Sequence, residues 1–141
     1  MIKELVLGLV LGIQGYIDWK KREIPLSVSM VGAWIGIVFC MIERRSPESI
    51  LGACVVGIVT IVYAKISREA IGYGDGILLL VMGLYLSMEE LVFICMIAFG
   101  IAGLCALFLL TVSGRSGRCE IPFVPFIVLA YGVLCLVGME Y

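Results

Sequence analysis

Six apolar stretches, each closed by charged or turn residues, follow one another along the chain at about 2–17, 26–42, 50–66, 74–88, 91–112 and 122–139. Charges fall in the intervals between them or within a few residues of their ends, so the pattern predicts membrane-spanning helices rather than amphipathic helices packed in water. Several stretches are shorter than the roughly 20 residues that cross a bilayer untilted, which calls for local thinning or for ends shielded by neighbours. The expected fold class is all-α, a polytopic membrane helix bundle with six transmembrane helices. No linker, repeat or low-complexity tract interrupts it, so residues 1–141 are expected to form a single membrane-embedded domain.

Composition strengthens this picture. Of 141 residues, 62% are hydrophobic and 15% charged, with a mean hydropathy of +1.17; a soluble domain carries roughly 25% charge, so a water-soluble globule is excluded. Ten basic and 11 acidic residues give a net charge of −1 and no polybasic surface, which excludes nucleic acid as a partner and leaves membrane lipid. Histidine is missing altogether, so acid–base chemistry falls to carboxylates, thiols, Tyr or Lys. Cys40, Cys54, Cys95, Cys105, Cys119 and Cys135 form no CxxC pair and read as small apolar packing residues, with no metal called for.

The first stretch lacks a small-x-small cleavage site and is followed directly by Asp18-Trp19-Lys20-Lys21-Arg22, which predicts a retained helix rather than a signal peptide. Sorted by alternate loops, Lys20, Lys21, Arg22, Lys65, Arg68, Arg115 and Arg118 fall on one side, and Lys3, Arg44 and Arg45 on the other. The richer side is expected in the cytoplasm, with the N-terminus and C-terminus outside. Gly8 with Gly12, and Gly32 with Gly36, have the spacing for close helix approach, within the bundle or across a homo-oligomer face.

The two aspartates of the chain, Asp18 and Asp75, each stand where an apolar run meets a loop on the richer side. Two spans separate them, so the chain returns Asp75 to the same membrane face as Asp18. Gly72-Tyr73-Gly74-Asp75-Gly76 surrounds the second acid with glycines, which permits close backbone approach; an ordinary turn capped by the Asp reads equally well. Ile24-Pro25 and the run Glu120-Ile121-Pro122-Phe123-Val124-Pro125-Phe126 each read as a proline-started helix.

In this order the residues resemble the type IV prepilin peptidases, membrane aspartyl proteases with a GxGD motif, in the short peptidase-only form. The resemblance rests on Asp18 with Ile24-Pro25, on Gly72-Tyr73-Gly74-Asp75, and on Ile121-Pro122-Phe123-Val124-Pro125-Phe126. It departs from the family pattern at Leu26, where Asn is common, and at Ile77, where Lys is usual. The resemblance implies an aspartic endopeptidase of the inner (cytoplasmic) membrane, multi-pass, that removes the leader of a type IV or Flp-type prepilin or a pseudopilin at the cytoplasmic face. It implies Asp18 and Asp75 as the catalytic pair, Gly72, Gly74 and Gly76 as giving backbone access, Pro25 and Pro122 as setting helix starts, and no cofactor. The amino-terminal region with paired CxxC motifs that accompanies methyltransferase activity in longer members is not in this sequence, so N-methylation is not implied. Glu23 and Glu69 lie in the cytoplasmic loops, where a solvated role competes with contact to a basic leader. A proton-coupled carrier using the two acids as a relay, and a non-catalytic pilus or secretion assembly subunit, are the readings from other classes. The presenilin-type proteases share GxGD, but their other acid follows a Tyr, and here Ile17 precedes Asp18.

Overall fold

A computed structural model describes residues 2–66, 72–112 and 122–137. Arg68, Glu69, Arg115, Arg118, Cys119, Glu120 and Ile121 lie outside the described residues. Among the described residues there are six helices and no strand: α1 (Ile2–Lys21), α2 (Leu26–Ile42), α3 (Pro47–Ile66), α4 (Tyr73–Gly83), α5 (Met88–Val112) and α6 (Val124–Val137).

Local chemistry accounts for most of the ends. Glu4 in the first turn and Lys20 and Lys21 in the last complement the dipole of α1. Pro25, at φ −70°, stands just before α2 with a geometry suited to the start of a helix. That helix closes on Arg44 in the left-handed region at φ 49°, with the Arg45 amide donating back to the Cys40 carbonyl. The Ser46 hydroxyl accepts the Ser49 amide at the start of α3, where Pro47 takes the first position. At the start of α5, Ser87 and Glu90 form a reciprocal capping box, with Ser87 N donating to Glu90 Oε2 at 2.7 Å and Glu90 N to Ser87 Oγ at 3.3 Å.

The six-span expectation is met in helix count, while the lengths differ. Two segments, Pro47–Ile66 and Met88–Leu109, are long and apolar enough to cross a membrane; α2, α4 and α6 are shorter. The stretch expected at 74–88 ends as a helix at Gly83, so α4 is about 16 Å long, half of a typical hydrocarbon core. The reason is a long-range cap. The Arg45 guanidinium donates to the carbonyls of Leu84 at 3.1 Å and Leu86 at 2.9 Å, and Cys40 Sγ also reaches Leu84 O. The Leu84, Tyr85 and Leu86 amides turn back to the Val81 and Met82 carbonyls of the last turn, and Arg45 takes the carbonyls just past it, so the helix can stop inside the bundle with its end satisfied.

This short helix forms the centre of the fold. Leu78, Leu79, Val81 and Met82 of α4 are buried, and the helix packs on α2, α3 and α5, while α1 lies between α2 and α6. Leu7 and Leu11 of α1, Leu91, Ile94 and Ala98 of α5, and Ile127 and Ala130 of α6 complete one core. Of the paired glycines, Gly32 faces Val10 and Val81, Gly36 faces Leu84 and Tyr85, and Gly8 faces Tyr131, whereas Gly12 has nothing within 4 Å. The outer surface exposes Leu5, Trp34, Leu51, Leu104 and Phe108, an apolar coat of the kind a protein solvated by lipid presents.

Candidate active site

Asp18 lies in the last turn of α1, beyond the apolar run 2–17, and is only 6% exposed. Its Oδ2 accepts the backbone N–H of Val124 at 3.1 Å. Val124 is the first residue of α6, and its successor Pro125 has no N–H to offer. The Phe126 and Ile127 amides turn back to the Phe123 carbonyl. The donor that the start of α6 leaves available thus goes to Asp18, and the positive end of the helix dipole faces that carboxylate. Burial pushes the Asp18 carboxyl above its ordinary value, opposed by the Val124 amide and by the charge of Arg22.

Asp75 lies in the first turn of α4 and is 9% exposed. The residue before the helix is Gly72, so the turn is not capped by Asp75 as a first residue. Instead the Asp75 carboxylate accepts a backbone hydrogen bond from Gly72, and the Asp75 amide donates to the Gly72 carbonyl at 3.1 Å. This is the third-position half of a capping box, with an acid in place of Glu. Asp18 and Asp75 are close enough for the charge of one to act on the other.

The glycines around Asp75 have distinct surroundings. A Cβ on Gly76 would lie 3.0 Å from the Ile61 backbone nitrogen, so a hydrogen there is what lets α3 approach the first turn of α4. A Cβ on Gly74 would meet Ile24 at 2.8–2.9 Å. The Ile24-Pro25 corner is thereby seated on the glycine-rich turn, joining two motifs separated by about fifty residues of sequence. Gly72 is the exposed glycine of the three.

Pro25 precedes α2, and its carbonyl accepts the Val28 amide at 3.1 Å and the Ser29 amide at 3.2 Å. Pro122 lies two residues before α6 rather than at its first position, since the helix begins at Val124. Leu26 is exposed, Ile77 is half-buried and Glu23 is exposed. Among the described residues no group of three His, Cys, Asp or Glu side chains could hold a metal ion. Of the cysteines, Cys40 and Cys95 are buried and Cys135 is exposed.

Two features escaped the sequence reading. The Val124 amide belongs to the backbone, and its only trace is the pair of prolines bracketing it. Gln14, fully buried one turn before Asp18, donates from Nε2 to Ser29 Oγ at 2.9 Å. A lone amide within an apolar run, four residues from an acid, was the signal available for it.

A sequence model of the type IV leader peptidase family matches residues 5–110, a range that contains both aspartates and stops short of α6. A curated protein described as a prepilin leader peptidase/N-methyltransferase, from Pseudomonas putida, is 26% identical over 132 residues, covering 88% of this chain and 46% of that protein. The chain thus spans about half the length of this relative. No solved structure matches the chain.

Proposed function

The chain belongs to the type IV leader peptidase family, and from that premise we propose that it is an aspartic endopeptidase that cleaves the leader from a prepilin or pseudopilin. The observation that carries the reading is that two buried carboxylates, Asp18 from α1 and Asp75 from α4, lie near enough for the charge of one to act on the other.

Two like charges in a desolvated site do not both ionise cheaply, so the pair holds one proton between them over a working range of pH. The ionised member takes a proton from water, whose oxygen attacks the scissile carbonyl; the protonated member gives its proton to the carbonyl oxygen. Collapse of the tetrahedral species breaks the C–N bond: the amine leaves with the proton the first carboxylate acquired, and the second carboxylate takes a proton back from a gem-diol hydroxyl as the new carbonyl forms. Both acids are regenerated in the original count of protons, with no metal or organic cofactor. Gly72 leaves the backbone beside Asp75 open to a peptide, while Gly74, Gly76, Pro25 and Pro122 fix the elements that present the two acids.

The excess of Lys and Arg in the loops next to both acids supports a cytoplasmic placement, in a multi-pass protein of the cytoplasmic membrane. A substrate with a hydrophobic segment in the bilayer and a short leader in the cytoplasm would bring its cleavage site to that level. Recognition would rest on helix contacts in lipid more than on charge. N-methylation is not part of the proposal. The test is mass analysis of a co-expressed prepilin in membranes: release of an intact leader that requires this chain is expected, and a correctly folded chain that cleaves none of several prepilins would reject the reading.

A further inference from the structure

Gln14 lies on the buried face of α1 that also carries Leu7, Leu11 and Asp18. Its Nε2 is engaged by Ser29, and its Oε1 is buried without a hydrogen-bond partner in the protein. Whichever way the amide is turned, Ser29 satisfies one end and not the other. An unsatisfied buried amide end destabilises the fold, and a Leu or Met of similar volume would carry no such cost. A polar residue placed at such a point calls for a partner from outside the chain.

The partner's size follows from the burial. Gln14 is 0% exposed, so a peptide could not reach it without separating the helices around it, whereas a single water is the partner that buried polar groups of this kind take. Gln14 and Asp18 stand one helical turn apart and both are buried on the same helix, α1. Residues four apart on a helix have Cβ atoms about 6 Å from each other, which puts their polar ends within range of a bridge by one water. Asp18 Oδ2 is already held by Val124, which leaves Oδ1.

We infer that Gln14 is a positioning residue that holds one buried water bridging its amide to the second carboxylate oxygen of Asp18. This rests on the reading of Asp18 as half of a catalytic pair. The water donates one hydrogen to Gln14 and one to Asp18, so the carboxylate is fixed at both oxygens, by α6 on one side and by its own helix on the other. The charged groups acting on Asp18 are Asp75 on α4 and Arg22 at the end of α1; α2 and α6 contribute none.

The test compares the native chain with Gln14→Met, which keeps the volume and removes the amide. Infrared carboxylate bands are assigned to Asp18 by subtraction of the Asp18→Asn spectrum. The Asp18 band is expected to move in Gln14→Met, and an unmoved band overturns the inference whether or not the chain cleaves a prepilin. In cleavage assays, kcat is expected to fall roughly tenfold, the worth of one charge-assisted hydrogen bond. KM should stay within about twofold, and the acid limb of the pH profile should move to higher pH, because ionised Asp18 loses a donor. A purely structural Gln14 would give a variant at least as stable as the native chain, with native kcat and an unmoved profile, and that result overturns the inference while leaving the proposed function intact. Should Gln14→Met fail to fold, Ser29→Ala, which loosens the amide, is expected to shift the band and kcat in the same direction by a smaller amount; no shift there overturns it equally.

Discussion

The backbone amide of Val124 donates to Oδ2 of Asp18 across 106 residues of sequence, tying the first turn of α6 to the last turn of α1. The bond makes the C-terminal helix part of the candidate site although α6 lies beyond the family match. Substituting the side chain cannot remove it, but proline can. Proline suits the first position of a helix; it deletes the N–H while putting a ring of similar volume in place of the buried Val124 side chain. Val124→Pro is expected to lower cleavage by roughly 10- to 100-fold, equivalent to one hydrogen bond to a charged group. Val124→Ala keeps the amide and should retain most of the rate. Rates at matched expression separate the two.

Arg45 caps the inner end of α4 through two carbonyls and also reaches Ser49. Arg45→Ala leaves those carbonyls without their cation and is expected to destabilise the fold by about 2–4 kcal/mol, whereas Arg45→Lys, lacking the planar fork, should recover less than half of the loss. Thermal unfolding in detergent reads both.

Gly76 and Gly132 should respond oppositely to the same substitution. A methyl on Gly76 runs into the Ile61 backbone, and one on Gly132 meets nothing within 4 Å. Gly76→Ala is expected to cost about 1–3 kcal/mol by forcing α3 from α4, and to lower cleavage by displacing Asp75. Gly132→Ala should be neutral or stabilising by up to about 1 kcal/mol. Paired unfolding curves test this.

The exposed Lys3–Glu43 pair, at 3.0 Å, joins the start of α1 to the end of α2. Pairs of this exposure contribute little, so Lys3→Ala is expected to change stability by less than about 1 kcal/mol. A larger loss on unfolding would show that the pair does more than decorate the surface.

The helices were legible in sequence to the extent that their ends are local. The run 26–42 coincides with α2 because Pro25 stands just before it and the αL residue Arg44 ends it. The run 74–88 overshoots α4 because its apolar residues continue through the closing turn at Leu84–Leu86, whose carbonyls are held by Arg45, about forty residues away, which no local pattern announces. The start of α5 at Met88 instead of 91 could have been read from Ser87 and Glu90, whose capping spacing was hidden by the rule that charges close an apolar run. The parity of the predicted spans allowed Asp18 and Asp75 to share one end of the bundle, and the charge of Asp18 does act on Asp75. What sequence did not disclose was how they are held, since the Val124 amide carries no side-chain signature and the packing of Ile24 on Gly74 is visible only in three dimensions.

The claim that Asp18 and Asp75 act as one hydrolytic pair is tested most directly by mass-resolved cleavage of a prepilin in membranes containing the native chain, Asp18→Asn, Asp75→Asn or the double variant at matched expression. Each single variant should lose leader release as completely as the double, because neither carboxylate can supply both proton transfers alone. Full release by either single variant would contradict the pair.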